Sequence, residues 1–222
     1  MKPAPFEYVR PASLGEALET LHQHGDDAKA LAGGQSLVPL MNFRLTRPAV
    51  IVDLNGLADL AYIRADGDGL AIGALTRQRA VETSAVVRER APLVAEATPY
   101  IGHVPIRTRG TVGGSIVHAD PSAEYPVVMV ALEARFRLAR RDGTREVGAA
   151  DFFKTYLTTD VEPTELLTEI RVPALPPRTG ISFMELARRH GDFAIVAVGV
   201  AVTLAGGVIG SARIALGGVA PT

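Results

Sequence analysis

Apolar positions near the start of the chain repeat at helical spacing. Between residues 14 and 21 they recur every three or four positions, which predicts a helix. Ser13 and Glu16 form the capping box that begins such a helix, and Gly25 is a typical stop. The pattern predicts a compact α/β unit of four elements: a helix from residue 14, a strand over 28–32, a short helix over 36–43 and a strand over 49–54.

The middle of the chain alternates between hairpins and helices and is predicted to be an α+β unit. Gly-rich turns near residues 66–69 and 142–143 each separate two short apolar runs, which is typical of β-hairpins. The predicted elements are a hairpin over 62–74, a helix capped by Thr76 through Val81, a helix over 92–100, an irregular basic segment over 102–110, a helix over 125–134, a hairpin over 136–147, a helix over 150–157 and a strand over 166–172.

Three prolines within residues 173–177 predict a linker. Beyond it, three apolar segments predict strands over 181–187, 196–204 and 209–216, the last two joined by a turn over 205–207. The predicted domains are therefore 1–55, 56–175 and 176–222. No helix follows the three strands, so we expect one face of their sheet to be covered by a continuing polypeptide or by a partner.

Composition narrows the function classes. A net charge of −1 argues against bulk nucleic-acid binding. The chain has no cysteine, so it cannot form a disulfide, ligate its own iron–sulfur cluster or use a thiol nucleophile. No apolar run approaches the roughly 20 residues that span a bilayer, and the first ten residues lack a signal-peptide core. We predict a cytoplasmic protein without a membrane span.

Two glycine pairs, in residues 31–37 and 111–115, are the main candidates for ligand binding. Paired glycines let the main chain approach a ligand and tolerate positive φ, and successive N–H groups there can bind an anion. Each pair alone is commonly an ordinary turn; the two together favour loops that grip one extended ligand. Neither has the Gly-x-Gly-x-x-Gly of a nicotinamide site or the Gly-Lys-Ser/Thr of a phosphate-binding loop.

Polar residues near the second pair have alternative interpretations. His118 and Asp120 could ligate a metal, but a polar loop with local Asp hydrogen bonds is favoured. Glu124 either accepts hydroxyls of a ribose or favourably meets the N-terminal dipole of a helix. Arg107 and Arg109 either neutralise a pyrophosphate or form a solvated basic loop. No catalytic side chain and no metal ligand is predicted.

Four motifs in this order resemble the FAD-binding medium subunit of molybdenum hydroxylases, the carbon monoxide dehydrogenase and xanthine dehydrogenase family. The resemblance covers essentially the whole chain and implies an α+β fold of the vanillyl-alcohol-oxidase type: two α/β subdomains that hold FAD, and a C-terminal three-stranded sheet domain that here lacks its helical part. The motifs are Ala-Gly-Gly-Gln-Ser-Leu over 32–37, Ile-Arg-x-Arg-Gly-Thr-Val-Gly-Gly-Ser over 106–115, His-Ala-Asp-Pro over 118–121 and Arg-Arg-x-Gly-Asp-Phe-Ala over 188–194.

The resemblance also implies which residues contact FAD. The two glycine stretches would bind the pyrophosphate and neighbouring groups, Glu124 would face the adenosine portion, and Phe193 would lie near the flavin ring. Relatives often carry Asn where Ser115 stands, and a hydroxyl can still contact phosphate. The full implied set is Leu31, Ala32, Gly33, Gly34, Gln35, Ser36, Leu37, Ile101, Thr111, Gly113, Gly114, Ser115, Glu124, Leu166, Leu167 and Phe193.

The function implied by the resemblance is that of an electron-transfer oxidoreductase subunit. Substrate would be oxidised at a molybdopterin cofactor in a large partner, and [2Fe-2S] clusters of a small partner would pass electrons to FAD on this chain. The assembly would be a dimer of heterotrimers. Two alternatives remain at this stage: a non-redox nucleotide-binding assembly module and a free-standing flavin oxidase, although nothing in the sequence marks a substrate acid–base pair.

Overall fold

The computed structural model describes residues 2–220; Met1, Pro221 and Thr222, at the ends of the first and third predicted domains, lie outside the described residues. Among the described residues, three β-sheets of three or more strands follow one another along the chain, with helices around and between them, and a two-stranded sheet lies within the second unit. The predicted α+β class is confirmed. The division into domains at residues 55 and 175 stays a prediction. Among residues 2–220, no helix combines the length and apolar character required to cross a lipid bilayer.

The first sheet is parallel and small. Its strand order is β1-β3-β2, and the elements are β1 Glu7–Val9, α1 Leu14–His24, β2 Ala28–Leu31, α2 Leu37–Asn42 and β3 Val50–Asp53. Ser13 caps α1 by accepting the Glu16 N–H at 3.2 Å, as the capping box predicted. The Glu16 side chain reaches back to the N–H of Ala12. Because parallel strands end at the same edge, β2 delivers the first glycine pair to the carboxyl edge of this sheet.

The second sheet has five antiparallel strands in the order β4-β5-β10-β6-β7. Helices cover one face and enclose the main core around Tyr125, Phe136 and Phe152. The elements are β4 Ile63–Asp66, β5 Gly69–Gly73, α3 Gln78–Thr83, α4 Ala85–Arg90, α5 Pro92–Ala97, α6 Val104–Arg109, α7 Val112–His118, α8 Glu124–Ala131, β6 Arg135–Arg140, β7 Gly143–Gly148, α9 Ala149–Phe152, a small pair of β8 Phe153–Thr155 and β9 Thr158–Thr159, and β10 Leu166–Val172.

The third sheet is antiparallel, in the order β11 Thr179–Leu186, β12 Val196–Ala205 and β13 Val208–Gly217. One face lies against α8, where a Cβ at Gly217 would come within 2.6 Å of Val127. The opposite face exposes large apolar side chains, among them Met184 and Ile214. One face of the sheet is thus covered by a helix of the second unit and the other is exposed, as the sequence predicted for one face; its cover by a continuing polypeptide or a partner stays a prediction.

One predicted helix start and one predicted irregular segment in the second unit are wrong. Thr76 does not cap α3, because its buried hydroxyl donates to the carbonyl oxygen of Tyr62 at 2.8 Å and the helix begins two residues later. The segment over 102–110 is not irregular throughout, since residues 104–109 form α6 with Pro105 in its first turn. A further helix, α4, was not predicted; Ser84 caps it by accepting the N–H of Val87.

The helix predicted over 150–157 is also wrong beyond Phe152. The next residues leave the helix to form β8, which pairs with β9. Leu157 then adopts a φ of 54°, which no α-helix tolerates. The local composition favoured a helix, but residues 153–155 pair with residues further along the chain and therefore form a strand.

Candidate functional site

The two glycine stretches meet in the folded chain, main chain against main chain. A Cβ added at Gly33 would lie 2.6 Å from the carbonyl oxygen of Arg109 and 2.7 Å from the Cα of Gly110. Only glycine permits this approach. The contact joins the carboxyl edge of the first sheet to the segment that enters α7.

Side chains fasten this contact. Arg77 donates one guanidinium N–H to the carbonyl oxygen of Arg109 and another, at 2.7 Å, to Oδ1 of Asn55. Asn55 in turn donates to the carbonyl oxygen of Ala32 at 2.9 Å and is held by Asp53, whose carboxylate accepts its main-chain N–H. Burial and the nearby Arg109 lower the pKa of Arg77. The bracket of Arg77 and Asn55 thus sets the spacing of the two stretches.

A cleft of about 670 Å³ opens beside this junction. Its size is that of a cofactor site. Residues that belong to or adjoin each of the three larger sheets line this cleft. Of the predicted contact residues, only Leu31 does not line it. Those that line it are residues 32–37, Ile101, Thr111, Gly113, Gly114, Ser115, Glu124, Leu166, Leu167 and Phe193.

The first glycine stretch has the properties of an anion-binding loop. Among residues 2–220, no acceptor takes a hydrogen bond from the N–H groups of Gly33, Gly34, Gln35 and Ser36. Gly34 has a φ of 72°, the left-handed conformation that turns successive amides toward one side. Since all four residues line the cleft, their amides are available to an anionic ligand there.

The second glycine stretch is different from the turn that the sequence predicted. Its glycines lie in the first turn of α7 and have no positive φ. The amides are already used: Gly113 N–H donates to Ala74 at 2.8 Å and Gly114 N–H to the Thr111 hydroxyl at 3.1 Å. A Cβ at Gly113 would lie 2.6 Å from the Cβ of Ala74. This pair therefore allows a helix to pack closely, and its amides do not form an anion-binding nest.

Glu124 is a buried carboxyl on the wall of the cleft. It is the first residue of α8 and only 6% exposed. Burial raises its pKa to about 7, and the carboxyl groups of Glu185 and Asp120 act in the same direction. Both interpretations from the sequence agree with this position, since the residue begins a helix and also faces the cleft.

The mouth of the cleft carries an exposed aromatic ring. Phe193 is 70% exposed and follows Gly191, whose φ is 85°. A Cβ at Gly191 would lie 2.5 Å from the His103 ring and 2.8 Å from the carbonyl oxygen of Gly102. This close contact holds the loop between β11 and β12 against the segment that precedes α6. The third sheet thereby contributes a side chain to the cleft.

The structure distinguishes between the alternative interpretations of the remaining polar candidates. Asp120 accepts the N–H of Ser122 at 2.9 Å, which is the local loop bond that was favoured. Within residues 2–220, no group of three or more His, Cys, Asp or Glu side chains is arranged to hold a metal ion. Arg107 is not a solvated basic residue: it is buried and pairs with Glu82 through two bonds of 2.8 and 3.0 Å.

Sequence reasoning missed several residues that line the cleft. Most are apolar or lie within strands and helices, where they look like ordinary core positions. One signal was available for Gly191 and Asp192, which belong to the fourth motif. Missed residues that line the cleft include Thr46, Leu75, Gln78, Leu157, Val161 and Glu165.

Comparisons with known proteins match both parts of the chain. A family model described as the FAD binding domain in molybdopterin dehydrogenase matches residues 4–175. A second, described as the CO dehydrogenase flavoprotein C-terminal domain, matches residues 181–222.

Individual relatives cover nearly the whole chain. The 6-hydroxypseudooxynicotine dehydrogenase complex subunit alpha of Paenarthrobacter nicotinovorans is 45% identical over 92% of this chain and 69% of its own length. The carbon monoxide dehydrogenase medium chain of Hydrogenophaga pseudoflava is 41% identical over 100% and 77%. A solved structure of carbon monoxide dehydrogenase from Hydrogenophaga pseudoflava superposes with a TM-score of 0.97 at 42% identity, over 100% of this chain and 77% of that one.

Because Gly33 touches the main chain of residues 109–110, we expect the stability of the protein to be sensitive to substitution at this position. Gly33→Ala places a methyl group against the main chain of residues 109–110, so we expect overpacking to lower the free energy of unfolding by about 1–3 kcal/mol. Gly148→Ala is the matched control, because a Cβ there meets nothing within 4 Å. Urea denaturation of both variants measures the difference; equal stability of the two would contradict the contact.

Glu124 predicts a pH dependence of the apoprotein's stability. Its folded pKa lies above the ordinary value, so the unfolded chain releases this proton first and stability falls as pH rises from about 4.5 to about 7. Glu124→Gln removes this loss. At pH 8 we expect the variant to gain about 3 kcal/mol over wild type relative to the difference at pH 4. Urea denaturation at both pH values tests this, with exposed Glu7→Gln as control; a difference that does not vary with pH would refute it.

Proposed function

The chain belongs to the family of FAD-binding subunits of molybdopterin dehydrogenases, and from this premise we propose that it passes electrons from the iron–sulfur clusters of a partner subunit, through FAD, to an external acceptor. The family makes it an FAD-binding medium subunit of the carbon monoxide and xanthine dehydrogenase type. The electron route is our inference. So is the assembly with a small iron–sulfur subunit and a large molybdenum-binding subunit as a dimer of heterotrimers.

The single observation that carries cofactor binding on this chain is the set of amides in the first loop. Four consecutive residues, from Gly33 to Ser36, line the cleft, and no acceptor among residues 2–220 takes a hydrogen bond from their N–H groups. A pyrophosphate supplies oxygens for such a nest. The cleft continues from this loop toward Glu124 on one wall and toward Phe193 at its mouth. The residues present therefore fit an extended dinucleotide.

The proposed contacts follow from the chemistry of each wall. The amides of the first loop hold the pyrophosphate, and Ser115, which lines the same cleft, offers its hydroxyl as a further hydrogen-bond donor. Glu124 provides a carboxyl for ribose hydroxyls. Ile101, Leu166 and Leu167 form apolar walls. When bound, FAD supplies the redox chemistry, and the chain's own residues bind it, orient it and limit its contact with water.

Other features agree with a subunit that works with partners. The chain has no cysteine, so clusters that supply electrons would be held by another chain. The relatives described above are named for different substrates, carbon monoxide in one case and 6-hydroxypseudooxynicotine in the other. We therefore propose that the substrate is selected on another subunit. A cytoplasmic location remains part of the proposal.

Flavin titration of the purified chain tests the proposal. We expect wild type to retain FAD through gel filtration and to quench flavin fluorescence at about one FAD per chain, since one cleft carries the amide nest. Gly33→Ala should lower this affinity, and Gly148→Ala should not. A chain that is folded by circular dichroism but retains no flavin would refute the proposal. A chain that binds ADP and FAD equally well, and co-purifies with no redox partner, would favour the non-redox nucleotide-binding module.

A further inference from the structure

The outer side of α2 and the loop that follows it carry exposed apolar side chains. Val38 and Phe43 are 44% and 66% exposed, and Leu45, three residues beyond the helix, is 74% exposed. The basic residues Arg44 and Arg47 lie among them and are exposed as well. Single exposed apolar residues are ordinary, whereas several together mark a contact surface. We refer to these five residues as the α2 surface.

Helix α2 separates this surface from the cleft. Leu37 and Leu40, on the other side of the helix, line the cleft, and so does Thr46 in the loop. The helix begins directly after the amide nest. An α-helix with its side chains is about 10 Å across, so a protein that docks on the α2 surface comes within about one helix diameter of a ligand in the cleft.

The loop after α2 holds a backbone conformation that is unusual for its sequence. Arg44 has a φ of 59°, in the left-handed region where glycine is the usual residue. Its N–H donates to the carbonyl oxygen of Met41 at 3.0 Å, and the N–H of Leu45 donates to that of Leu40 at 2.9 Å, which is the Schellman ending of a helix. In such endings the residue at the position of Leu45 frequently packs against the helix, but here its side chain is exposed. An arginine in place of glycine costs stability, which points to a use for its side chain.

The charges around the α2 surface have one sign. No acidic residue occurs over 28–52, whereas Lys29, Arg44 and Arg47 are basic. Lys2 lies beside them, because its carbonyl oxygen accepts a hydrogen bond from Nε of Arg44 at 3.4 Å. Among residues 2–220, no carboxylate forms an ion pair with any of these four side chains. Apolar side chains with unpaired basic neighbours are complementary to a protein surface that is apolar and acidic.

We propose that the α2 surface docks the partner subunit that delivers electrons to FAD, and that this partner presents an acidic, apolar patch to it. The inference rests on the proposed function, because an electron donor gains from a position one helix diameter from the cleft. An anionic membrane or a second copy of this chain gains nothing from that position. Aromatic and arginine side chains are enriched among the residues that dominate binding energy, so Phe43 and Arg44 are the centre of the contact.

Arg44→Gly separates docking from stability, because it removes a contact and relieves the backbone at once. We expect the variant to unfold at a higher urea concentration than wild type and to bind the partner about tenfold more weakly. Arg178→Gly is the matched control: Arg178 is exposed and has a φ of 63°, but it lies in the linker before β11. It should gain stability without losing affinity. Leu45→Ser should weaken docking about tenfold with little change in stability.

The partner in this test is the purified iron–sulfur subunit of the same complex, identified by its iron content and cluster absorbance. Calorimetry measures its dissociation constant from the FAD-loaded chain at about 50 and about 500 mM NaCl. We expect the wild-type complex to weaken at the higher salt concentration, because exposed charges are screened there. The FAD affinity of each variant, measured alongside, should equal that of wild type.

Equal affinities of wild type, Arg44→Gly and Leu45→Ser for the iron–sulfur subunit would overturn the inference. If the two variants instead lose binding to phosphatidylserine vesicles, the surface belongs to a membrane; if they lose self-association in sedimentation, it belongs to a second copy. A loss of stability in Arg44→Gly assigns that side chain a structural role, and Leu45→Ser then decides the question. A wild-type chain that binds FAD but no iron–sulfur subunit refutes the proposed electron route, and this outcome is distinct because wild type itself fails.

Discussion

The contact of Gly33 with the main chain of residues 109–110 is the constraint on which the candidate site depends. Separate parts of the chain form the two sides of the cleft, and they touch where neither has a side chain. The bracket of Arg77 and Asn55 holds them at this distance through hydrogen bonds to main-chain carbonyl oxygens. The amides of the first glycine stretch and the side chain of Gln78, which rests on Gly110, take their positions from this junction.

The two glycine pairs look alike in the sequence but have different structural roles. In the first, a positive φ at Gly34 leaves successive amides without partners. In the second, both glycines are helical and their amides are satisfied; the absent Cβ of Gly113 lets α7 pack against Ala74, and that of Gly114 leaves room for the Thr111 hydroxyl. A glycine pair therefore does not predict an anion site by itself; what matters is whether the surrounding chain satisfies the amides.

Local signals in the sequence predicted the elements that depend on local interactions. The capping box at Ser13 and the apolar run of β10 led to correct elements, and the motifs located about half of the cleft's lining. The failures involve contacts between distant positions. From the sequence, Arg107 could either neutralise a pyrophosphate or belong to a solvated loop, but α6 brings it to Glu82; Gln78, which rests on Gly110, had no distinguishing neighbour in the sequence. Such residues are identified by three-dimensional proximity, which spacing along the chain does not encode.

The third sheet separates two kinds of surface by simple alternation. Gly199 and Gly217 face α8, whose first residue is Glu124, whereas Met184 and Ile214 point to the opposite side. Successive side chains of a strand alternate between faces, so a substitution on the outer face leaves the contact with α8 intact. In terms of tolerance to substitution, a change on the outer face alters only the surface that this sheet presents, whereas a change on the inner face disturbs α8 and with it the position of Glu124.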